Sequence, residues 1–314
     1  MSKLSINVNG LKKNFGTIKA IDGITFKVKS GSVFGMLGPN GAGKTTTIET
    51  LVGLYERDGG EVKVLGLDPE RDLQKLKSRI GVQLQSPSLF PRLTVKEILK
   101  LFASFYPNPL GVNDVISRVG LEKKQKERVK TLSGGQRHRL AVGLAMISNG
   151  ELVFLDEPTT GLDPQARRQL WEVVLGLKEN GVTVFLTTHY MEEAEKLCDQ
   201  LVIIDQGKVI ANDSPSNLIE TYFKEKAVEF NNPGFTESEK QKLGQFSFTS
   251  KITYEEKNGE IIMYTENISR AISELMSFSD EINKDIEDFV VRQPTLDDVF
   301  LKLTGKGIGE NEHI

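Results

Sequence analysis

Gly38-Pro39-Asn40-Gly41-Ala42-Gly43-Lys44-Thr45-Thr46 is the stretch from which the rest of this chain can be read. Its spacing is that of a phosphate-binding loop, and such a loop needs a strand before it and a helix after it. Val33 to Leu37 is an apolar run that predicts a buried strand, and Thr46 to Leu54 predicts a helix. Glycines let the backbone curl so that successive N–H groups face inward, and the helix N-terminus adds unpaired donors and a positive dipole end. In that setting Lys44 reaches the β- and γ-phosphates, and the Thr45 hydroxyl takes a place on Mg²⁺. The competing reading is a glycine-rich turn that happens to carry a lysine; it is disfavoured because every mechanical demand of the motif is met. The loop implies a nucleoside triphosphate. What the energy is used for has to be read elsewhere.

At 314 residues the chain has room for a full α/β core and a smaller appended domain. Its 38% hydrophobic and 26% charged residues are ordinary for a soluble globular protein. A formal net charge of −3 gives no reason to expect nucleic acid or a strongly anionic surface as the main partner. The single cysteine, Cys198, excludes an internal disulfide and fits a reducing compartment as a small buried side chain. No stretch approaches the roughly 20 apolar residues of a membrane span, and the N-terminus lacks the apolar segment of a secretory signal. A cytosolic protein is expected, with any membrane role borrowed from a partner.

Leu4 to Val28 alternates apolar and polar residues like a half-exposed sheet and carries Phe15 just before a turn. That ring either stacks on a nucleotide base, a contact typically worth ~1–3 kcal/mol, or packs in the sheet; composition does not separate the two. Gly59 to Gly66 reads as a short hairpin strand and Ile80 to Gln85 as a buried strand ending in an amide. Val95, Ile98, Leu99 and Phe102 then recur at helical spacing, and a second helix is expected from Asn113 as cap to Gly120 as stop. Thr94 to Lys130 thus reads as a helical insertion standing off the main sheet. The basic run Lys123, Lys124, Lys126, Arg128 and Lys130, with Glu122 and Glu127 between, reads as a solvated helix face rather than a lipid-headgroup contact.

Leu132-Ser133-Gly134-Gly135-Gln136 opens a helix through Leu140, Leu144 and Ile147, a second platform of backbone donors suited to an anion. Alone it is common loop chemistry; its force comes from the strand and the two carboxylates downstream of it. Leu152 to Leu155 is a continuous apolar strand ending in Asp156-Glu157, where ligands bind in open α/β sheets. Asp156 is placed to hold Mg²⁺, largely through water, and Glu157 to take a proton from an attacking water. Thr160-Gly161-Leu162-Asp163-Pro164 turns into a helix that contains the lone Trp171. Val182 to Leu186 is one more buried strand, followed by Thr187-Thr188-His189-Tyr190. A lone histidine at a strand end is usually structural; at the same sheet edge as Asp156 a hydrogen bond to the γ-phosphate becomes the better reading. Leu201 to Ile204 and Lys208 to Ile210 close the domain around Asp205-Gln206-Gly207.

The phosphate loop, Gln85, Leu132–Gln136, Asp156-Glu157, Asp163 and His189, in this order, resemble the ATP-binding subunit of ABC transporters over roughly Leu4 to Leu218. The resemblance implies that Phe15 stacks on adenine and that Gln85 contacts Mg²⁺ and the attacking water while sensing a transmembrane partner. It implies that Ser133 and Gly135 grip the γ-phosphate of the nucleotide held by a second subunit, with Gly134 and Gln136 in the same segment. Glu157 is then the general base, and Asp163 communicates between two sites. Phe15 stands where tyrosine is more usual, and His138 where glutamine is common. Gln83 competes with Gln85, which is preferred for lying directly before Ser86-Pro87. A twofold homodimer satisfies both sites at once, drawn together by ATP and released after hydrolysis.

Beyond Leu218 the pattern is β-α-β-β-α-β: Ala227–Phe230, a helix capped by Thr236 with Glu239 and stopped at Gly244, Thr249–Tyr254, Ile261–Tyr264, a helix through Ile268, Ile272, Leu275 and Met276, and Ile286–Val291. This predicts a small ferredoxin-like sandwich, with a last helix from Thr295 to Gly305. The expected organisation is an ABC ATP-binding domain over 1–220, with a helical subdomain at about 88–132. An α+β domain over 221–305 and a flexible tail over 306–314 complete it. The fold class is therefore α/β: a P-loop NTPase core with an antiparallel β subdomain and a helical subdomain, plus the C-terminal α+β domain. Thr188 to Glu195 and Pro294 to Phe300 are similar to the drug-exporter, ABC-2 type branch. That implies export through separate permease subunits and a location on the cytoplasmic side of the membrane. The alternative is a soluble ABC ATPase acting on DNA or the ribosome. Chromosome-type members carry long coiled coils and ribosome-type members usually two cassettes; neither is present here. A binding module without turnover is opposed by Glu157.

Overall fold

The computed structural model describes residues 3–85, 89–246, 249–255, 259–286 and 289–305. The expected break at Ser86-Pro87, the turn residue Asn258 and the tail from 306 onward lie outside the described residues. The chain divides into two compact units that meet in sequence between Pro215 and Ser216.

In the first unit, β1 (Leu4–Phe15) and β2 (Ile18–Lys29) form an antiparallel hairpin, and β3 (Val33–Leu37) leads into the phosphate loop and α1 (Lys44–Leu51). β4 (Gly59–Val64) does not fold back on its own neighbours as expected. It pairs antiparallel with β1 from Ile6↔Val64 to Lys12↔Gly59. The local turn at Leu65 and Gly66, both at positive φ, closes a single bridge from Val64 to Leu67, and Pro69 lies two residues on. α2 (Leu73–Lys77) and β5 (Ile80–Gln83) come next. α3 (Val95–Ala103) is capped by Thr94, whose hydroxyl accepts from the Glu97 N–H. α4 (Val112–Arg118) begins after Gly111 rather than at Asn113, because Leu110 N–H donating to Ile147 O pins the chain just ahead of it. Lys123 to Lys130 forms no helix face. Glu122–Lys124 is a 3₁₀ turn, with Lys124 paired to Glu127 at 2.8 Å.

α5 (Gly134–Met146), β6 (Leu152–Asp156), α6 (Pro164–Glu179), β7 (Thr183–Thr188), α7 (Met191–Leu197), β8 (Gln200–Asp205) and β9 (Lys208–Asp213) complete this unit. The strands order as β5-β6-β7-β3-β8-β9, parallel except for the antiparallel β9, and β2-β1-β4 form a separate antiparallel sheet. β3 and β6 are buried at every residue, as parallel strands covered on both faces must be. Phe26 of β2 meets Phe34 of β3 at 5.4 Å between ring centroids, and Phe185 of β7 meets Phe34 and Phe154 at 5.6 Å each. Each such ring contributes roughly 1.5–3 kcal/mol on burial, so the antiparallel sheet is held firmly to the parallel one. Cys198 is a buried free thiol, its pKa pushed up by burial.

The second unit contains α8 (Pro215–Tyr222), β10 (Lys226–Asn231), α9 (Glu237–Gly244), β11 (Thr249–Glu255), β12 (Glu260–Thr265), α10 (Ile268–Ile282), β13 (Val290–Arg292) and α11 (Leu296–Thr304). Its sheet is antiparallel in the order β11-β12-β10-β13, the order of a split βαβ sandwich. Val228, Phe230, Ile261 and Met263 pack with Leu243, Leu275 and Phe278 in a core of its own. Tyr264 Oη donates to Asp298, which also pairs with Arg292 at 2.6 Å and seats α11. Thr236 makes the capping box with Glu239, and Gly305 at φ 73° ends α11. β13 is shorter than the expected Ile286–Val291 strand.

Candidate active site

β5, β6, β7 and β3 are consecutive neighbours in the sheet, and each releases a sequence-predicted residue at its carboxyl end. Gln85 follows β5, Asp156-Glu157 end β6, His189 follows β7, and the phosphate loop follows β3. Register fixes their depth: Asp156 lies beside Thr187, and Leu37 beside Thr188. The crevice beyond such strand ends is where open α/β sheets bind ligands. It is a cleft of about 410 Å³ lined by Asn40, Gly41, Gly43, Lys44, Thr45, Thr46, Gln85 and Glu157, with Ile18 to Ala20 and Gln206 on its rim.

The loop geometry explains its glycines. Gly43 sits at φ 104° as the cap of α1, and a Cβ there would fall 2.4 Å from Ala20 O. A Cβ on Gly38 would meet Ile204 O at 2.3 Å. Ala42 N–H donates to Pro39 O, and Gly207 N–H to Ala42 O. Lys44, 4% exposed, donates from Nζ to Gly38 O at 2.8 Å and to Pro39 O at 3.1 Å. The same ammonium lies 3.1 Å from Glu157 Oε1. Helix α1 starts at Lys44, two residues earlier than expected.

Glu157 is the point of convergence. Its Oε2 accepts from Gln85 Nε2 at 3.3 Å and Thr160 Oγ1 at 3.2 Å, and His189 Nδ1 lies 3.3 Å away without hydrogen-bond geometry. Burial raises the carboxyl's pKa, but the His189 ring and the Lys44 ammonium outweigh it and hold the group at about 2. Glu157 also sits at φ 46°, a left-handed backbone held by its N–H donating to Thr187 O and Thr187 Oγ1; such strain concentrates where a side chain must be aimed. Gln83 points elsewhere: its Nε2 donates to Leu84 O and Asp156 O, and its Oε1 is buried without a partner.

Asp156 is fully buried, and burial pushes its pKa up while the hydroxyls of Thr187 and Thr45 pull it back. Thr187 Oγ1 donates to Oδ1, but Oδ2 is buried with no hydrogen bond. Among the described residues no group of three or more His, Cys, Asp or Glu could hold a metal ion. One lone carboxylate oxygen beside a threonine hydroxyl suits Mg²⁺, which keeps waters and shares substrate phosphates rather than needing a protein cage.

The remaining predicted residues stand away from the cleft lining. Ser133 caps α5, its Oγ accepting from Gln136 N–H at 3.3 Å while Gln136 Oε1 accepts from Ser133 N–H at 3.0 Å. Gly134 is exposed and Gly135 half-buried. Asp163 caps α6, accepting from Gln165 and Ala166 N–H. Phe15 is 42% exposed and packs edge-on against Tyr55 at 5.3 Å, with the Lys13 ammonium 5.4 Å from its ring. His138 Nδ1 is 2.8 Å from Pro158 O, tying α5 to the segment after Glu157. Sequence reasoning missed Thr160 and Thr187 as partners of Glu157 and Asp156. The hydroxyl pair at the end of β7 was the available signal for Thr187.

A family model described as "ABC transporter" matches residues 21–160. The chain is 33% identical to the linearmycin resistance ATP-binding protein LnrL of Bacillus subtilis, over 96% of this chain and 98% of that one. It is 37% identical to the Nod factor export ATP-binding protein I of a Rhizobium species, over 98% and 99%. Among solved structures, cbiO1 from Clostridium perfringens, described as part of the ABC transporter complex cbiONQ, superposes with a TM-score of 0.64. That match has 26% identity and covers 70% of this chain and 92% of that one.

Proposed function

This chain belongs to the ATP-binding proteins of ABC transporters and is an ATPase; from that premise we propose that it drives export as a twofold homodimer coupled to separate ABC-2 type permease subunits. The cargo in this reading is drug-like or another small hydrophobic molecule. The observation that carries the proposal is the convergence of Lys44, Gln85 and His189 on the buried Glu157 carboxylate at the mouth of the phosphate loop. Relatives that span nearly the whole chain are named for resistance or export, which supports the direction of transport.

Residue roles follow from position. Backbone N–H groups from Gly41 to Thr46 cradle the phosphates, and Phe15 offers a ring face to adenine. Gly38, Pro39 and Asn40 shape the turn that brings them round. Lys44 turns from the Gly38 and Pro39 carbonyls to the β- and γ-phosphates. Mg²⁺, when bound, neutralises phosphate charge, and Thr45, Asp156 and Gln85 are the residues to hold it. With Lys44 engaged by phosphate, Glu157 loses the ammonium that depresses its basicity and can accept a proton from water. Gln85 and His189, already at that carboxylate, orient the water and the γ-phosphate.

Ser133, Gly134, Gly135 and Gln136 do not line the phosphate-loop cleft, so a single copy leaves this anion-binding segment without a ligand. A second copy face to face completes both halves through one self-complementary surface, with Asp163 beside each junction. Phe90, 50% exposed and near Gln85 in sequence, marks the face offered to the permease; exchange of Phe90 for Asp is expected to weaken that partnership and leave basal turnover intact. Among the described residues no helix is long and apolar enough to cross a membrane; in this reading the chain is held on the cytoplasmic side of the membrane by that partner.

The test is Glu157→Gln. Turnover should fall by about 10²–10⁴-fold while ATP stays bound, and size-exclusion chromatography with ATP should show a dimer that ADP does not support. Undiminished turnover, or a monomer under both nucleotides, overturns the reading.

A further inference from the structure

Glu193 is fully buried in a segment that the catalytic reading does not use. It lies on α7, which begins two residues after His189. Its Oε1 accepts from Trp171 Nε1 of α6 at 3.1 Å. Its Oε2 is buried without a hydrogen bond, as is the Thr159 hydroxyl oxygen. Burial raises the carboxyl's pKa, and the hydroxyls of Thr188 and Thr159 and the Trp171 indole act against it. One carboxylate thus ties α7, just after His189, to the helix that Asp163 caps.

The His189 turn is fastened to α6 a second time. Thr188 Oγ1 accepts from Tyr190 N–H at 2.9 Å, the His189 and Tyr190 rings lie 4.2 Å apart, and the Arg167 guanidinium stands 4.3 Å over the Tyr190 ring. Arg167 and Trp171 are one helical turn apart and therefore share a face of α6. A buried carboxylate is costly unless its partners are fixed. If it served packing alone, an apolar side chain would do as well.

We propose that Glu193 is a positioning residue that locks the His189 turn to α6, so that a displacement of His189 by the γ-phosphate reaches Asp163 through α6. This rests on the assignment of His189 to the γ-phosphate. Its reporter is built in, because Trp171 is the sole tryptophan of the chain.

The experiment uses the full-length protein. In the Glu157→Gln background, Trp171 emission should differ between ATP and ADP; Glu193→Gln, which keeps an acceptor for the indole, should retain that difference, and Glu193→Leu should abolish it. With Glu157 intact, Glu193→Leu should lower kcat by about 10-fold or more with KM for ATP within about twofold, and Glu193→Gln should restore most of the rate. Trp171→Phe, which keeps an aromatic ring but removes the donor and part of the indole's volume, should lower kcat by about threefold and decides the matter if Glu193→Leu does not fold. A folded Glu193→Leu with unchanged kcat, a change in KM alone, an unaltered nucleotide-dependent emission, or a Trp171→Phe of full activity overturns the inference. Absence of turnover in the unmodified protein would instead overturn the assignment beneath it.

Discussion

Lys44 and Glu157 form an ion pair with both side chains 4% exposed, a setting in which desolvation can exceed the attraction between the charges. Further hydrogen bonds tip the balance: two carbonyls accept from the ammonium, and Gln85 and Thr160 donate to the carboxylate. A pKa lowered from 4.5 to about 2 means that the folded state binds fewer protons than the unfolded chain across that window. The stabilisation is complete above pH 4.5 and is lost as pH falls toward 2. In thermal melts without nucleotide, the unmodified protein should therefore lose ground to Glu157→Gln as pH falls through that interval, and the gap between them should stay constant above it. A gap that is constant throughout would show that the pair carries no linkage. Chain order favours Gln85 over Gln83 only for its place directly before the Ser86-Pro87 break. The end of β5 separates them: Gln83, its last residue, turns into the protein, whereas Gln85 lies past the strand, free of its alternation, and reaches Glu157.

At the scale of elements, the proposed function gives Ser133 a second job beside its observed N-cap, and a substitution can separate the two. As N-cap of α5 it satisfies a backbone donor, and removing such a cap costs about 1 kcal/mol. As part of the anion platform it must not carry negative charge. Ser133→Ala should lower stability by about that amount in urea unfolding. Ser133→Asp should keep it, since aspartate caps equally well, yet abolish the ATP-dependent dimer by placing a carboxylate against phosphate. If Ser133→Asp still dimerises with ATP, the segment does not meet the nucleotide. Capped helices and wholly apolar strands were legible in the sequence because their signals are local: Thr236 with Glu239, Asp163 before Pro164, Val33 to Leu37. The adjacency β5-β6-β7-β3 that assembles the site was not, since each hydrogen-bonded neighbour is distant along the chain. α2 and α7 are too short to show a helical period. β4 was misassigned to a local hairpin because its partner, β1, lies far upstream.

For the whole molecule, the two units have separate apolar cores, one built around the paired sheets of residues up to Pro215 and the other around Val228, Phe230 and Met263. α8 starts at the boundary, and Phe223 just after it packs against Tyr264 with ring centroids 4.8 Å apart and planes tilted by 36°. A cut within α8 would therefore injure the second core, whereas a stop codon after Asp213 removes that unit cleanly. Every cleft residue from Asn40 to Gln206 lies upstream of that cut, so the truncated protein should unfold cooperatively and bind ATP within about threefold of the full chain. We assign the second unit a dimer-stabilising or regulatory role, because it carries no catalytic motif and the relatives matched over nearly the whole chain extend across it. Sedimentation equilibrium of truncated and full-length Glu157→Gln with ATP measures that role directly. A dimer weakened by about tenfold or more, some 1.4 kcal/mol, locates part of the association energy in the second unit. Equal dimer affinities, with equal ATPase rates and equal stimulation by the permease in the Glu157-containing pair, would leave the unit without either role.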